Sequence, residues 1–284
     1  MFSENGQEAK SNMVNEEITS SKNELIAIDT LNNCECNIGL KARFWNPKME
    51  PFISSKAHGR YIFDNEKSSI FIKVAYQYIM DLVSADADIM LVGVKNKANS
   101  PIIAEAASRV KVFYLTQRWL GGLLTNFKTI SLNIKKLNDL DELLSDPNLQ
   151  DGYTKKELVQ KTKQRNKLEK FYGGIKNLQK LPDLIILFNP CEDITCLKEA
   201  KKMKIPVIAL ANTNADPDLI DFIVPGNNTS TKSVYLIANL LCDAIAQAQG
   251  NQTLIAFKDP SEIVIPEEYS SKPKMNERGN ISFL

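Results

Sequence analysis

The chain has 284 residues, of which 43% are hydrophobic and 24% are charged, and this is enough apolar material for a packed core. Its 35 basic and 34 acidic residues give a formal net charge of +1, which argues against both a histone-like basic protein and an acidic disordered chain. Five scattered cysteines are too few for a disulfide scaffold. Apolar runs fall far short of the roughly 20 residues of a membrane span, and the start lacks a signal-peptide pattern, so we expect a soluble, cytoplasmic protein.

The two ends of the chain are predicted to lie outside the folded core. Residues 1–24 are polar and rich in glutamate, which is typical of a disordered arm. Residues 258–284 are rich in Pro, Ser, Glu and Lys and are predicted to form a flexible tail. Between them, residues 25–125 and 175–257 are predicted to form one globular domain, interrupted by residues 126–174.

Short apolar runs that alternate with helical patterns predict the class of this domain. The strand candidates are residues 88–93, 112–116, 184–188, 207–211 and 222–225, with 60–64 as a weaker candidate. Apolar side chains at intervals of four predict the helices, and the first helix is marked by Ile70, Val74, Tyr78 and Leu82. A last helix is expected to stop at Gly250. Strands that alternate with helices predict a parallel sheet covered on both faces, a doubly wound α/β domain.

The interruption at residues 126–174 has the pattern of an α-helical hairpin. Its first arm repeats apolar side chains at steps of four, three and three, namely Ile130, Ile134, Leu137 and Leu140. Residues 145–152 are rich in turn formers, and a second seam of similar spacing follows as far as Ile175. Glycine pairs lie at both ends. Each arm of about 17 residues, at ~1.5 Å per residue, is expected to project roughly 25 Å from the sheet domain as a coiled coil.

Basic residues cluster in and around the predicted hairpin. Residues 95–136 contain eight bases against one acid, and residues 155–180 contain nine bases against two acids. The hairpin tip and the first 30 residues are acidic. Two adjacent basic arms would repel each other, so we expect a polyanion to neutralise them, most simply an RNA or DNA backbone. Lysines that only keep surface helices in solution are the alternative.

Two tryptophan segments add to this basic region. Residues 41–49, KARFWNPKM, interleave bases with aromatics, so that Phe44 and Trp45 could stack on a nucleobase. Trp45 as a core anchor is an equal alternative. Trp119 is expected to pack at the root of the hairpin, which leaves Arg118 free to reach a phosphate.

Patterns for catalysis or metal binding are missing from the sequence. Residues 93–97, GVKNK, match neither a dinucleotide-binding turn nor a P-loop. His58 is the only histidine and is expected to be solvated, which makes a His-based triad or metal site implausible. The cysteines lack zinc spacing, and Cys196 and Cys242 are expected to be buried. We therefore expect no enzyme activity, no cofactor and no metal.

The ends of the predicted strands carry one competing hypothesis. A doubly wound sheet can hold a ligand there, which would suit a nucleotide- or sugar-phosphate-binding enzyme that uses Gly93, Thr116, Asn189, Thr213 and Gly226. Only an analogy of fold supports this alternative. The polar loop after residues 207–211 is more typical of a helix start, with Asp216 as N-cap before Pro217.

Ten short motifs, in this order along the chain, carry a family resemblance. They are FWNPKM (44–49), LVGVK (91–95), QRWLGG (117–122), LTNFKTI (124–130), YGGI (172–175), LPDL (181–184), IPV (205–207), NTN (212–214), DPDLID (216–221) and VPGN (224–227). Together they closely resemble the bacterial small-subunit ribosomal proteins of the S2 family, over residues 31–249. One departure is NIGL at residues 37–40, where many members have His-x-Gly-His, and this puts in doubt any contact or metal held by those histidines.

The resemblance implies a flavodoxin-like sheet with an inserted coiled-coil hairpin, and a structural protein without catalysis or cofactor. It implies a place at the head–body junction of the 30S subunit in the cytoplasm, with 16S ribosomal RNA and neighbouring small-subunit proteins as partners and neither membrane nor DNA. The candidate RNA-binding residues are Arg43, Trp45, Lys48, Arg60, Lys95, Arg118, Lys128, Lys135, Lys136, Lys163, Arg165 and Lys167. Contacts to the RNA backbone and its shape are expected to dominate, because the major groove of double-stranded RNA is too narrow for side chains to read.

Overall fold

The computed structural model describes residues 24–94 and 96–270. Within them the strands are β1 (Ile38–Lys41), β2 (Ile53–Ala57), β3 (Arg60–Phe63), β4 (Ile89–Val92), β5 (Phe113–Leu115), β6 (Leu184–Leu187), β7 (Val207–Ala211) and β8 (Phe222–Pro225). The helices are α1 (Ile28–Asn33), α2 (Asn65–Ser84), α3 (Ser100–Arg109), α4 (Phe127–Ser145), α5 (Pro147–Gln150), α6 (Lys155–Tyr172), α7 (Ile194–Met203), α8 (Thr231–Ala248) and α9 (Glu267–Ser270). The predicted arm at residues 1–24 lies outside this part of the chain, except for its last residue.

Five parallel strands form the main sheet, in the order β5-β4-β6-β7-β8. Numbered along the chain within this sheet, the order is 2-1-3-4-5, which is the flavodoxin-like arrangement. Successive residues of β4 point to opposite faces, so that Ile89 and Leu91 join one apolar cluster and Met90 and Val92 join another. Helices α2, α3 and α8 cover the first face, and α7 with the base of α4 covers the second. The predicted α/β class and its five main strands are therefore confirmed.

Helix α2 forms where it was expected but buries a different face. Asp64 begins it as N-cap, with its carboxylate accepting the Glu66 amide at 3.1 Å. The core-facing side chains include Ile72 and Ile79, whereas the expected core residues Ile70 and Val74 are 59% and 50% exposed. Two apolar stripes overlap on this helix, and the packing of α8 and β8 against it selects the one that is buried.

A second sheet was only partly foreseen. Strand β3, the weaker candidate at residues 60–64, is the centre of a three-stranded antiparallel sheet in the order β1-β3-β2 and is not part of the parallel sheet. The two-residue turn between β2 and β3 is His58-Gly59, with φ of 49° and 72°, as a type I′ hairpin requires. His58 is exposed, as predicted. Strand β2 was not predicted, because four of its five residues are exposed and it therefore lacks an apolar run.

The predicted helical hairpin is formed by α4 and α6, joined by the short helix α5. The two long helices are antiparallel and packed together, since Asn133 contacts the Tyr172 hydroxyl at 3.2 Å and Asp141 binds Arg165 at 2.5 Å. The expected stripe Ile130, Ile134, Leu137 and Leu140 is buried. Its first three residues belong to the cluster on the second face of the sheet, so the root of the hairpin is part of the domain core and only the distal part stands away from it.

The segment after Lys258, predicted as flexible tail, packs on the domain as far as residue 269. Ile263, Ile265 and Tyr269 lie against the first-face cluster. The Tyr269 ring stacks on Tyr235, with centroids 5.5 Å apart, and its hydroxyl donates to Glu105 at 3.1 Å. Proline and charged residues dominate the local composition, but a few apolar side chains at intervals pack the segment against the domain. Residues 271–284 lie outside the described part of the chain.

We expect Asp243→Asn to lower the free energy of unfolding by about 2 kcal/mol. This fully buried carboxylate accepts the amides of Leu254, Ile255 and Ala256 at 2.6 to 2.9 Å and pairs with Arg109 at 2.8 Å. Asparagine keeps one acceptor oxygen but turns an NH₂ group toward groups that also donate. Urea unfolding measures the loss, and Asp259→Asn, at an exposed site, is the control. Equal midpoints for the two variants would contradict the prediction.

Candidate nucleic-acid interface

The predicted RNA-binding residues lie in three regions of the structure. Arg43, Trp45, Lys48 and Arg60 lie on or beside the antiparallel sheet. The hairpin carries two sets, Lys128, Lys135 and Lys136 on α4 and Lys163, Arg165 and Lys167 on α6. Arg118 follows β5 and is exposed, while Lys95 is outside the described residues. The three lysines of α4, together with Lys163 and Lys167, are exposed.

Beside the antiparallel sheet, the exposed ring is that of Phe44 and not that of Trp45. Trp45 is half-buried and packs on Tyr61, with ring centroids 4.8 Å apart. Phe44 is 53% exposed, and the Arg43 guanidinium lies 4.5 Å from its ring centroid. Arg60 is exposed and donates to the Gly39 carbonyl at 3.4 Å. Phe44 with Arg43 therefore offers the stacking surface that the sequence assigned to both aromatics.

Lys48 is held by two carboxylates of its own chain. Its ammonium group lies 2.9 Å from Asp216 and 2.6 Å from Asp218, and hydrogen bonds to Asp218 and Asp216 raise the pKa of Lys48. Asp216 caps the next turn as predicted, although that turn is only the 3-10 helix Pro217–Leu219. The motif at residues 44–49 therefore contacts the motif at 216–221, and the positive charge of Lys48 is paired with these carboxylates before any ligand binds.

The expectation of two basic arms is wrong for the first arm. Helix α4 carries three bases and three acids, because five of the eight bases in residues 95–136 precede the helix. Helix α6 carries seven bases and two acids. The arms therefore do not repel each other as a pair of like charges, and the electrostatic argument for a polyanion rests on α6.

On α6, one arginine binds the neighbouring arm while five lysines are exposed. Arg165 pairs with Asp141 of α4, and Lys176 pairs with the same carboxylate. Burial disfavours the ionised form of Asp141, but the hydrogen bonds from Lys176 and Arg165 outweigh it and hold the pKa of Asp141 below its usual range. Arg165 is therefore a structural contact between the arms, and its role toward RNA stays a prediction.

Four of the five exposed lysines of α6 share one face of the helix. Steps of seven, four and three residues separate them, which places them in line on a helix with 3.6 residues per turn. All are exposed and make no ion pair within the described residues. We name this set the lysine stripe: Lys156, Lys163, Lys167 and Lys170. Its first and last members were missing from the predicted site, although their spacing was visible in the sequence.

A buried glutamate, also missed by the sequence analysis, fixes the loop that leads into the hairpin. Glu199 of α7 is 8% exposed and accepts the Trp119 indole N–H at 3.0 Å, together with the amides of Gly122, Leu124 and Thr125 at 2.9 to 3.3 Å. Burial favours its neutral form, yet these hydrogen bonds prevail and lower the pKa of Glu199. Trp119 is buried in the same cluster as Ile130, at the hairpin root, as predicted.

Most of the residues named for the enzyme alternative are enclosed by neighbouring groups of the protein, although Thr116 lines an open cleft at the ends of β4, β5 and β6. Thr213 is fully buried, and the Asn189 amide oxygen accepts from Asn228. A side chain at Gly93 would collide with Ile103. Across residues 24–94 and 96–270, no group of three or more His, Cys, Asp or Glu side chains could hold a metal ion.

Cys196 and Cys242 are fully buried, as expected, and burial raises the pKa of Cys242 to about 12. In the part of the chain that the structure covers, each helix is too short or too polar to cross a membrane.

Fold and surface together define an α/β protein with an inserted helical hairpin whose second helix carries a row of exposed lysines. The family model described as Ribosomal protein S2 matches residues 31–248. The chain belongs to the ribosomal protein S2 family.

Curated relatives agree with this assignment. The small ribosomal subunit protein uS2 of Ureaplasma urealyticum serovar 10 is 44% identical over 247 residues, which cover 87% of this chain and 70% of the relative. The protein of the same name from Mycoplasma genitalium is 44% identical over 247 residues, or 87% of this chain and 86% of the relative. That of Geotalea uraniireducens is 39% identical over 211 residues, or 74% and 82%. Members of this family are structural ribosomal proteins, so the chain is not an enzyme.

Proposed function

We propose that this chain is a structural component of the small ribosomal subunit and binds 16S ribosomal RNA mainly through the lysine stripe of α6. The observation that carries the RNA contact is the row of exposed lysines that have no acidic partner among the described residues. Family membership supports the ribosomal setting, in the cytoplasm, and the relatives are small-subunit proteins by name.

The acids of α6 are already engaged, which leaves the stripe without partners in its own helix. Glu157 accepts the Thr154 amide at 2.8 Å in a capping box, and Glu169 lies 3.8 Å from Arg165. A helix built only for solvent would interleave acids at i, i+4 with its lysines. Phosphates of an RNA backbone would neutralise the stripe and release the counterions that it otherwise collects.

Other exposed cations extend this surface and belong to the same proposal. Lys128, Lys135 and Lys136 lie on α4, and Arg118 lies on the loop before it. At the antiparallel sheet, the Arg43 and Phe44 pair offers a ring for an unstacked base, with the exposed Arg60 on β3 of the same sheet. Lys48 and Arg165 contribute less in this account, because carboxylates of the chain already bind them.

The position of the protein and the geometry of its hairpin complete the proposal. We infer a place at the head–body junction of the 30S subunit, with neighbouring small-subunit proteins as additional partners. The acidic residues at the hairpin tip, such as Asp146 and Asp151, suit a basic protein neighbour. The antiparallel packing of α4 and α6 supports a coiled-coil hairpin.

Co-sedimentation tests the proposed function. We expect the chain to sediment with 30S particles at low salt and to be released as salt rises, because phosphate contacts exchange with counterions. A basic protein of similar size from outside the ribosome serves as control for non-specific adsorption. If the chain stayed in the supernatant at every salt concentration, the proposal would be wrong.

A further inference from the structure

We propose that the cleft at the carboxyl ends of β4, β5 and β6 receives one unpaired nucleotide of the bound RNA, with the RNA backbone continuing along the lysine stripe. This inference rests on the proposed function, because it takes RNA as the ligand. It assigns to the sheet domain a binding site for a base, in addition to the phosphate contacts of the hairpin.

The cleft lies where ligands of parallel sheets are usually held. Its volume is about 1000 Å³, and it is lined by residues that follow the three strands, among them Lys97 after β4, Thr116 after β5 and Asp193 after β6. Strand β4 is the first of the parallel sheet, with β5 on one side and β6 on the other. The strand order therefore reverses at β4, and crevices at such points are ligand sites in open α/β sheets. The volume suits a nucleotide, and is far larger than a single ion needs.

Three cations from three different elements line this cleft. Lys97 comes from the loop after β4, Arg118 from the loop after β5, and Lys170 from α6. None of them makes an ion pair with a described residue. The carboxylates nearby are Asp193, which is buried and accepts the Val94 amide at 3.3 Å, and the exposed Glu192. An anionic ligand would relieve the repulsion among the three cations.

The cleft also has an apolar wall suited to the flat face or edge of a base. Pro101, Ala104 and Ile194 line it together with Trp119. Because the Trp119 N–H is bound to Glu199, the ring is held in one orientation and needs no further polar partner. Unstacked bases usually bind against aromatic and apolar side chains that lie beside cations.

Lys170 connects the cleft to the stripe, and this favours an RNA strand over a free nucleotide. It lines the cleft and is also the last member of the stripe, which runs back along α6 to Lys156. The distance along the helix from Lys156 to Lys170 is about 21 Å at 1.5 Å per residue. Several phosphates fit along that length, whereas a free nucleotide would occupy the cleft and leave the other three lysines without a partner.

Tryptophan fluorescence tests this site directly. The chain has two tryptophans, so Trp45→Phe leaves Trp119 as the only reporter. We expect a single-stranded RNA octanucleotide to quench Trp119 saturably, a blunt RNA duplex to bind without quenching, and a nucleoside monophosphate to need at least about 100-fold higher concentration. Lys97→Gln and Arg118→Gln should each raise the half-saturating octanucleotide concentration about 5- to 10-fold. Lys73→Gln, at an exposed position of α2 that does not line the cleft, should leave it unchanged.

The outcomes separate this inference from the proposed function. RNA binding without quenching of Trp119 would contradict the proposed nucleotide site in the cleft but not RNA binding itself. Quenching that neither cleft substitution changes would have the same meaning. If the nucleoside monophosphate reached half-saturation at the same concentration as the octanucleotide, the cleft would bind a free nucleotide and not a nucleotide of an RNA strand. Loss of binding to all RNA would instead overturn the proposed function. An octanucleotide carrying 2-aminopurine gives the same readout from the RNA side without the Trp45 substitution.

Discussion

Replacement of Glu199 by Ala is expected to lower the free energy of unfolding by about 3–5 kcal/mol. Five donors lose their acceptor at once, and two of them, the Trp119 indole N–H and the Leu124 amide, are buried. A buried donor without a partner costs about 1–3 kcal/mol. Because these donors hold the loop between β5 and α4, the hairpin root should loosen along with the global loss of stability.

The same carboxylate predicts a dependence on pH. Hydrogen bonds hold the pKa of Glu199 below its value in the unfolded chain, so its contribution is complete at neutral pH and is lost as the pH falls below about 4.3. Urea unfolding at pH 7 and at acid pH measures both effects. The gap between wild type and Glu199→Gln should narrow in acid, because the wild-type carboxyl then also carries a proton.

Glu192 provides the control for Glu199. It is exposed and only seven residues earlier, so Glu192→Ala should leave the urea midpoint at pH 7 close to that of the wild type. A Glu199→Ala midpoint that matched this control would show that the loop is held by apolar packing alone.

Removal of the lysine stripe is expected to weaken RNA binding by on the order of a hundred- to a thousand-fold near 0.1 M salt. Each lost phosphate contact reduces the slope of log affinity against log salt by roughly 0.7 to 0.9, so four substitutions should reduce it by about 3. Lysine to glutamine changes retain helix propensity, which limits damage to α6. The measurement is a salt titration of binding to fragments of 16S ribosomal RNA, with all four lysines of the stripe replaced.

A variant of equal charge separates this effect from a general loss of positive charge. Four exposed lysines outside the hairpin, without ion pairs among the described residues, can be changed to glutamine in the same way: Lys73, Lys111, Lys198 and Lys202. This control should retain nearly the wild-type slope. Equal slopes for the stripe variant and the wild type would remove α6 from the RNA interface.

The strands of the main sheet could be predicted because each is a short apolar run buried on both faces. Residues 184–187 and 207–211 are buried throughout, so the sequence itself carries the signal. The antiparallel sheet was harder, since the exposed β2 has no such run, and only the His58-Gly59 turn marked the hairpin. The face of α2 could not be predicted, because Ile70 and Ile72 are equally apolar and the choice between their stripes depends on α8.

The candidate site was predictable in composition but not in arrangement. The basic character of α6 is visible in the printed sequence, and the spacing of Lys163 and Lys167 places them on one face. Which cations are free could not be seen, because Lys48 pairs with a carboxylate 168 residues away and Arg165 with one 24 residues away. Glu199 gave no local signal either, since its partners lie 74 to 80 residues earlier.

Local patterns of side chains therefore suffice to specify the α/β class, the order of its elements and the inserted hairpin. Hydrophobic periodicity acts over a few residues, and the chain carries it wherever it folds. The buried face of α2, the cleft and the set of unpaired lysines arise only when distant segments meet. Burial and ion pairing depend on neighbours in space, and these neighbours are set by the packing of the whole chain.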